Sequence, residues 1–107
     1  MDLTSQKCIP CEVGGEPLNK EEVTFYAKDV PEWRVSDDLK NISRDLKFKD
    51  FKEAMVYVNK IADLAEKEGH HPDFFVSYNK VHIELTTHEM KGLSVNDFIV
   101  AAKIDKI

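Results

Sequence analysis

FKEAMVYVNKIADLAEKEGHHPDFFVSYNKVHIEL, residues 51–85, decides the fold. Its first half is helical: Phe51, Ala54, Met55, Val58, Ile61, Ala62 and Ala65 keep the i, i+3, i+4, i+7 spacing of one helix face. Tyr57 and Leu64 widen that stripe to about half the circumference, where one core face needs only a little over ~100°. The extra width predicts either more of the domain's own core or contact with a second subunit. Asp50 stands as N-cap and Gly69 as the residue that ends the helix. Beyond Pro72, FFVSY and KVHIEL read as two strands around a tight turn at Asn79–Lys80. Val81, Ile83 and Leu85 then share one face, with His82, Glu84 and Thr86 on the other.

Upstream, Asn19 and Glu22 form a capping-box pattern before KEEVTFYAKDV. Val23, Tyr26, Ala27 and Val30 are helically spaced, and Pro31 closes the segment. WRVSDDLKNISRDLKF alternates as two strands joined around Asp37–Lys40. Arg44 interrupts its apolar face, which predicts a sheet edge, a snorkelling side chain or a ligand contact. Downstream, Ser94 and Asp97 form a second capping box before SVNDFIVAAKI, with Leu93 and Phe98 as its hydrophobic staple. The order α-β-β-α-β-β-α predicts an α+β fold: a four-stranded antiparallel sheet with helices on one face. Residues 1–18 read as an N-terminal arm and residues 19–107 as a single domain.

The bulk chemistry excludes several classes. The net charge is −5 and no Lys/Arg run stands out, which argues against nucleic acid and anionic membranes as partners. No apolar run approaches the ~20 residues of a membrane span. MDLTSQKCIP lacks the charged and apolar regions of a signal peptide, so a cytoplasmic protein is expected. Cys8 and Cys11 make a C-x-x-C, a spacing that suits zinc or a redox pair. A redox motif belongs at a helix start after a strand, whereas this one lies in the arm CIPCEVGGEP. No H-E-x-x-H, glycine-rich phosphate loop or G-x-S-x-G is present.

The remaining chemistry is histidine. His70, His71 and His88 are the candidates, because imidazole gives and takes protons near neutral pH. His70 and His71 follow the long helix's C-terminus, where the macrodipole favours an imidazolium. His82 reads as an exposed strand residue. By residue type alone the histidines fit either catalysis or a solvated turn.

Glu66-x-x-x-His70-His71-Pro72, then five residues to Tyr78, nine to His88 and eight to Asp97, resembles the signature of the pterin-4a-carbinolamine dehydratases. YNKVHIELTTHE resembles that family's second hairpin, and the resemblance covers the chain after the arm. It implies a hydro-lyase that removes water from 4a-hydroxytetrahydropterin to give quinonoid dihydropterin. That step recycles the tetrahydrobiopterin-type cofactor of an aromatic amino acid hydroxylase and needs no metal or organic cofactor. The resemblance makes His70, His71 and His88 the acid/base and binding residues, with His70 and His88 moving protons and His71 orienting substrate. Gly69, Thr86, Thr87 and Glu89 would line the pterin pocket, and Glu66 and Asp97 complete the set. Asp97 also reads as a plain helix cap, and Glu66 as a surface helix residue.

Two positions depart from the pattern. Gly69 replaces an acidic or polar residue, and Phe74 stands where many members carry tryptophan. The family further implies a homodimer or homotetramer. Its animal members also stabilise dimers of a homeodomain transcription factor, and other members relate to molybdopterin chemistry. Non-catalytic pterin binding or transcription-factor dimerisation is therefore the alternative reading.

Overall fold

The computed structural model describes residues 3–8 and 16–107. Helix α1 (Lys20–Ala27) starts at the expected capping box: Asn19 Oδ1 accepts from Glu22 N–H at 2.9 Å, and Glu22 Oε1 accepts from Asn19 N–H at 3.0 Å. Strands β1 (Arg34–Val35) and β2 (Ile42–Lys47) pair antiparallel, Arg34 opposite Ser43 and Val35 opposite Ile42. Helix α2 (Phe51–Glu68) is capped by Asp50, whose side chain accepts from Glu53 N–H at 2.8 Å. Strands β3 (Asp73–Ser77) and β4 (Lys80–Leu85) form the second hairpin, and helix α3 (Val95–Ile104) closes the fold.

The sheet order is β1-β2-β4-β3, all antiparallel, so β2 and β4 are central and β1 and β3 are edges. Side chains alternate along β4 as the sequence predicts: Val81, Ile83 and Leu85 are buried and the residues between them are not. They meet α2 and α3 in one core with Ile42, Ile61, Phe98 and Val100. Helix α3 is almost wholly enclosed; Phe98 through Ala102 and Ile104 are all buried. The expected α+β architecture is therefore the observed one.

Three local expectations change. The β3–β4 turn is Tyr78–Asn79, one residue early: Lys80 already pairs with Ser77, and Tyr78 takes the positive φ of 54°. Asn79 fixes this register: its carbonyl accepts from Phe48 N–H at 2.7 Å and its Nδ2 donates to the Phe48 carbonyl at 2.8 Å. The wide stripe of α2 divides in two. Ala54, Ile61 and Ala65 are buried and Tyr57, Val58 and Leu64 pack on the core, while Phe51 and Ala62 face solvent. Arg44 lies on a central strand rather than an edge, and its guanidinium reaches Asp105 Oδ1, which also accepts from Trp33 Nε1 at 2.9 Å. That contact accounts for its place on the apolar face without a ligand.

Leu3, in a short 3₁₀ turn (Leu3–Ser5), is buried in the same core and the turn packs along α3. No helix among the described residues is long and apolar enough to cross a membrane.

Candidate active site

Helix α2 ends because Gly69 adopts φ 69°, ψ 24°, a left-handed conformation that costs glycine no Cβ clash. That reversal turns His70 away from the helix axis and towards the start of α3. His70 is 11% exposed, and its Nε2 lies 2.6 Å from Oδ1 of the fully buried Asp97. Asp97 is in the first turn of α3, and its other oxygen is engaged as well. Oδ2 accepts from Ser94 N–H at 2.9 Å, the capping-box bond, and from the Thr87 hydroxyl at 2.8 Å. Ser94 Oγ is 2.7 Å from Thr87 Oγ1, completing a buried knot of hydroxyls around the carboxylate.

This knot draws the distant parts of the site together. Thr87 immediately precedes His88, so the loop that carries His88 and the helix end that carries His70 meet at one carboxylate. The loop itself is a 3₁₀ turn (His88–Met90) closed by a backbone bridge, Thr87 N–H donating to Gly92 C=O at 2.9 Å. His88 and Glu89 are exposed, and the His88 ring has no hydrogen-bond partner among the described residues. Thr86 is partly exposed, its hydroxyl donating to Lys40 C=O at 2.5 Å. Thr87 is fully buried, so its place is behind the site, holding Asp97, rather than in a wall that substrate touches. Gly69 is exposed, with nothing within 4 Å of where a Cβ would stand.

His71 is held differently. Its Nε2 contacts Glu66 Oε2 at 2.5 Å, but both side chains are well exposed, 60% and 78%. A pair this open contributes about 0–1 kcal/mol and is screened by salt. Glu66 thus restrains His71 weakly, whereas Asp97 fixes His70 within a buried network.

The hydrogen bonding also selects an atom. A carboxylate only accepts, so the contact with Asp97 places a hydrogen on His70 Nε2 and leaves Nδ1 as the ring nitrogen not engaged by it. Nδ1 has no partner among the described residues. A carboxylate fixing one imidazole tautomer so that the other nitrogen works is a recurrent device in acid/base catalysis.

Residue-type reasoning placed Ser94 only as a cap; its second contact, with Thr87, needed the fold. Glu68 and Lys103 were not singled out. The Glu68 side chain is 5% exposed and pairs with Lys103 Nζ at 2.6 Å while accepting from Cys8 N–H at 3.0 Å. Burial alone would raise the Glu68 carboxyl, but the Lys103 ammonium and the Cys8 N–H outweigh it and hold it below its ordinary range. The Cys8 thiol is pushed up to about 12, first by burial and then by the Glu68 charge. In the metal-free protein it therefore stays a thiol at neutral pH. Cys11 lies outside the described residues.

The chain matches the family profile described as pterin 4 alpha carbinolamine dehydratase over residues 16–107. The chain belongs to that family. A family protein of Alkaliphilus metalliredigens, named as a candidate pterin-4-alpha-carbinolamine dehydratase, is 50% identical over 106 residues, covering 98% of this chain and 95% of the relative. One from Nitrosomonas eutropha with the same designation is 45% identical over 107 residues, covering 99% and 93%. A crystal structure of a transcriptional coactivator/pterin dehydratase from Brucella melitensis superposes with a TM-score of 0.79 at 33% identity, covering 85% of this chain and 97% of that one. A pterin dehydratase-like protein described as a RuBisCO assembly factor in the alpha-carboxysome has a TM-score of 0.60 at 20% identity, covering 70% and 87%; that likeness concerns the fold alone. In this pterin dehydratase-family chain, Asp97 is both a helix cap and the carboxylate of the histidine site.

Proposed function

We propose that the protein catalyses dehydration of 4a-hydroxytetrahydropterin to quinonoid dihydropterin. The observation that carries this reading is the His70–Asp97–Thr87 contact, which fixes one imidazole tautomer and ties it to the His88 loop. In the reaction a base takes the N5 proton while an acid protonates the 4a-hydroxyl. The C4a–O bond breaks, the N5=C4a double bond forms, and water leaves. One proton is taken and one given, so the histidines exchange protons with each other or with solvent to reset.

His70, through Nδ1, and His88 are the proton-transfer residues, and His71 orients the substrate under the light restraint of Glu66. Gly69, Thr86 and Glu89 border the pterin, while Thr87 and Asp97 position His70. The product returns to a reduced cofactor of the kind an aromatic amino acid hydroxylase uses, in the cytoplasm. Self-association fits exposed apolar side chains on two elements: Phe51 and Val56 on α2, and Phe75 on the unpaired edge strand β3. A homodimer or homotetramer is the expected form.

The test is to generate 4a-hydroxytetrahydropterin with a hydroxylase and follow its loss with and without this protein. Acceleration above the spontaneous rate is expected. Pterin binding without acceleration would replace the enzyme by the non-catalytic reading.

A further inference from the structure

The N-terminal arm is the one sequence feature that the proposed reaction leaves unused. Residues 3–8 lie outside the matched family profile, which begins at residue 16. The Alkaliphilus relative nevertheless aligns over 98% of this chain, so its similarity extends into the arm. Leu3 is 2% exposed and belongs to the domain core. Cys8 then bridges two elements. Its N–H donates to Glu68 Oε1 at 3.0 Å, and its Sγ lies 3.7 Å from the Asn96 carbonyl oxygen, within range for a thiol donor.

Those two partners have meaningful neighbours. Glu68 lies two residues before His70 on the α2 terminus, and Asn96 directly precedes Asp97 on α3. The Glu68 end of the bridge is anchored to α3 again by Lys103 at 2.6 Å. Further along the arm, Leu18 N–H donates to Leu93 C=O at 2.8 Å. Pro17 packs so closely on Gly92 that a Cβ there would lie 2.7 Å from Pro17 Cβ. Gly92 is the bridge partner of Thr87, so the arm also braces the loop of His88.

We propose that the arm, through Leu3, Cys8 and Glu68, is a strut that sets the position of the α2 terminus against the start of α3 and so holds His70 on Asp97. Cys8 and Glu68 are positioning residues, acting through the His70–Asp97 bond. The boundary expected at residue 18 is then one of sequence only, because Leu3 to Cys8 are part of the folded unit. The kinetic consequence rests on the proposed dehydratase reading; the effect on the His70 ring does not.

The test uses the full-length chain with ¹⁵N-labelled histidine. In the unaltered protein, the ¹⁵N shifts of neutral His70 should report a single Nε2–H tautomer. Cys8→Asp sets a carboxylate against Glu68 and lifts the arm; Cys8→Ser keeps a hydrogen-bond donor and should restore the native spectrum. In folded Cys8→Asp the expectation is a mixture of His70 tautomers, with kcat down about ten-fold and KM within about two-fold, as for a small misplacement of a catalytic group. Should Cys8→Asp fail to fold, Leu3→Ala, which loosens the far end of the arm, decides by the same readouts. A native His70 tautomer spectrum in a folded arm variant overturns the proposal, even where stability falls. If the unaltered protein proves inactive, the function reading fails and the tautomer spectrum still decides the strut.

Discussion

Replacing Asp97 by asparagine changes one atom and should separate what the carboxylate does for stability from what it does for chemistry. Asp97 accepts three hydrogen bonds while fully buried: from Ser94 N–H at 2.9 Å, the Thr87 hydroxyl at 2.8 Å and His70 Nε2 at 2.6 Å. Asparagine has a single acceptor oxygen. If that oxygen keeps the Ser94 and Thr87 bonds, the amide NH₂ faces His70. The imidazole must then accept at Nε2 and carry its proton on Nδ1, the reverse of the native tautomer. If the oxygen faces His70 instead, the NH₂ opposes the Ser94 N–H, a worse arrangement.

The first arrangement keeps all three contacts, one of them reversed in direction, but replaces hydrogen bonds to a charged group by neutral ones. Bonds to charged groups contribute about 1.5–3 kcal/mol and neutral ones about 0.5–1.5 kcal/mol. The gross loss is about 3 kcal/mol, reduced because a buried amide costs less desolvation than a carboxylate. A net loss of about 2 kcal/mol is expected, read as a lower urea midpoint at unchanged slope. Dehydration should fall more steeply, about 10²-fold in kcat, because a positioned acid/base group contributes about 10²–10⁴. An Asp97→Asn protein with native kcat and an Nε2–H His70 would refute the reasoning.

Other perturbations follow from the same contacts. Glu68→Ala leaves the Lys103 ammonium without its partner in a nearly closed site and should cost about 3–5 kcal/mol in urea unfolding; a loss below 1 kcal/mol would mean that the pair is far better solvated. Gly92→Ala forces a Cβ against Pro17 and should cost about 1–3 kcal/mol, with the thermal midpoint falling accordingly. On the open face of the sheet, hydrogen bonds to Asp45 and then Glu84 raise the His82 imidazole above its ordinary 6.5, and the bond to His82 lowers Asp45 below 3.8. The His82 contribution is complete below about pH 6.5 and fades as pH rises through its raised value; that of Asp45 fades as pH falls through its lowered one. Because both side chains are partly exposed, His82→Gln should cost only about 0.5 kcal/mol, and mainly between about pH 4 and 6.5. A loss that grew towards pH 9 would contradict this.

Much of the fold could be read from local rules because its elements obey them. Asn19, Asp50 and Ser94 each cap the helix they precede, and Gly69 takes the left-handed conformation expected where α2 ends. The alternation of β4 survives intact because one face of that central strand is buried. What escaped depends on long-range partners. Tyr78 accepts a left-handed backbone because Asn79 is claimed by Phe48, a strand and a helix away in sequence. Phe51 belongs to the helical stripe by spacing, yet the sheet covers only part of that width and leaves it exposed. Arg44 needed Asp105, at the far end of the chain, to make sense.

The site followed the same division. The spacing of His70, His71, His88 and Asp97 was visible in the sequence, and so was Asp97 as a cap. That the cap's carboxylate also binds His70, and that Thr87 turns its hydroxyl inward onto it, follows from α3 docking against the α2 terminus. No local pattern announces that a thiol in a proline- and glycine-rich arm reaches across those two helices.

The central claim is best tested by stopped-flow measurement of 4a-hydroxytetrahydropterin dehydration with the unaltered protein, His70→Ala and His88→Ala at matched concentrations. The account predicts clear acceleration by the unaltered protein and a loss of about 10²-fold or more in each variant. A spontaneous rate with the unaltered protein, or full activity in both variants, would contradict it.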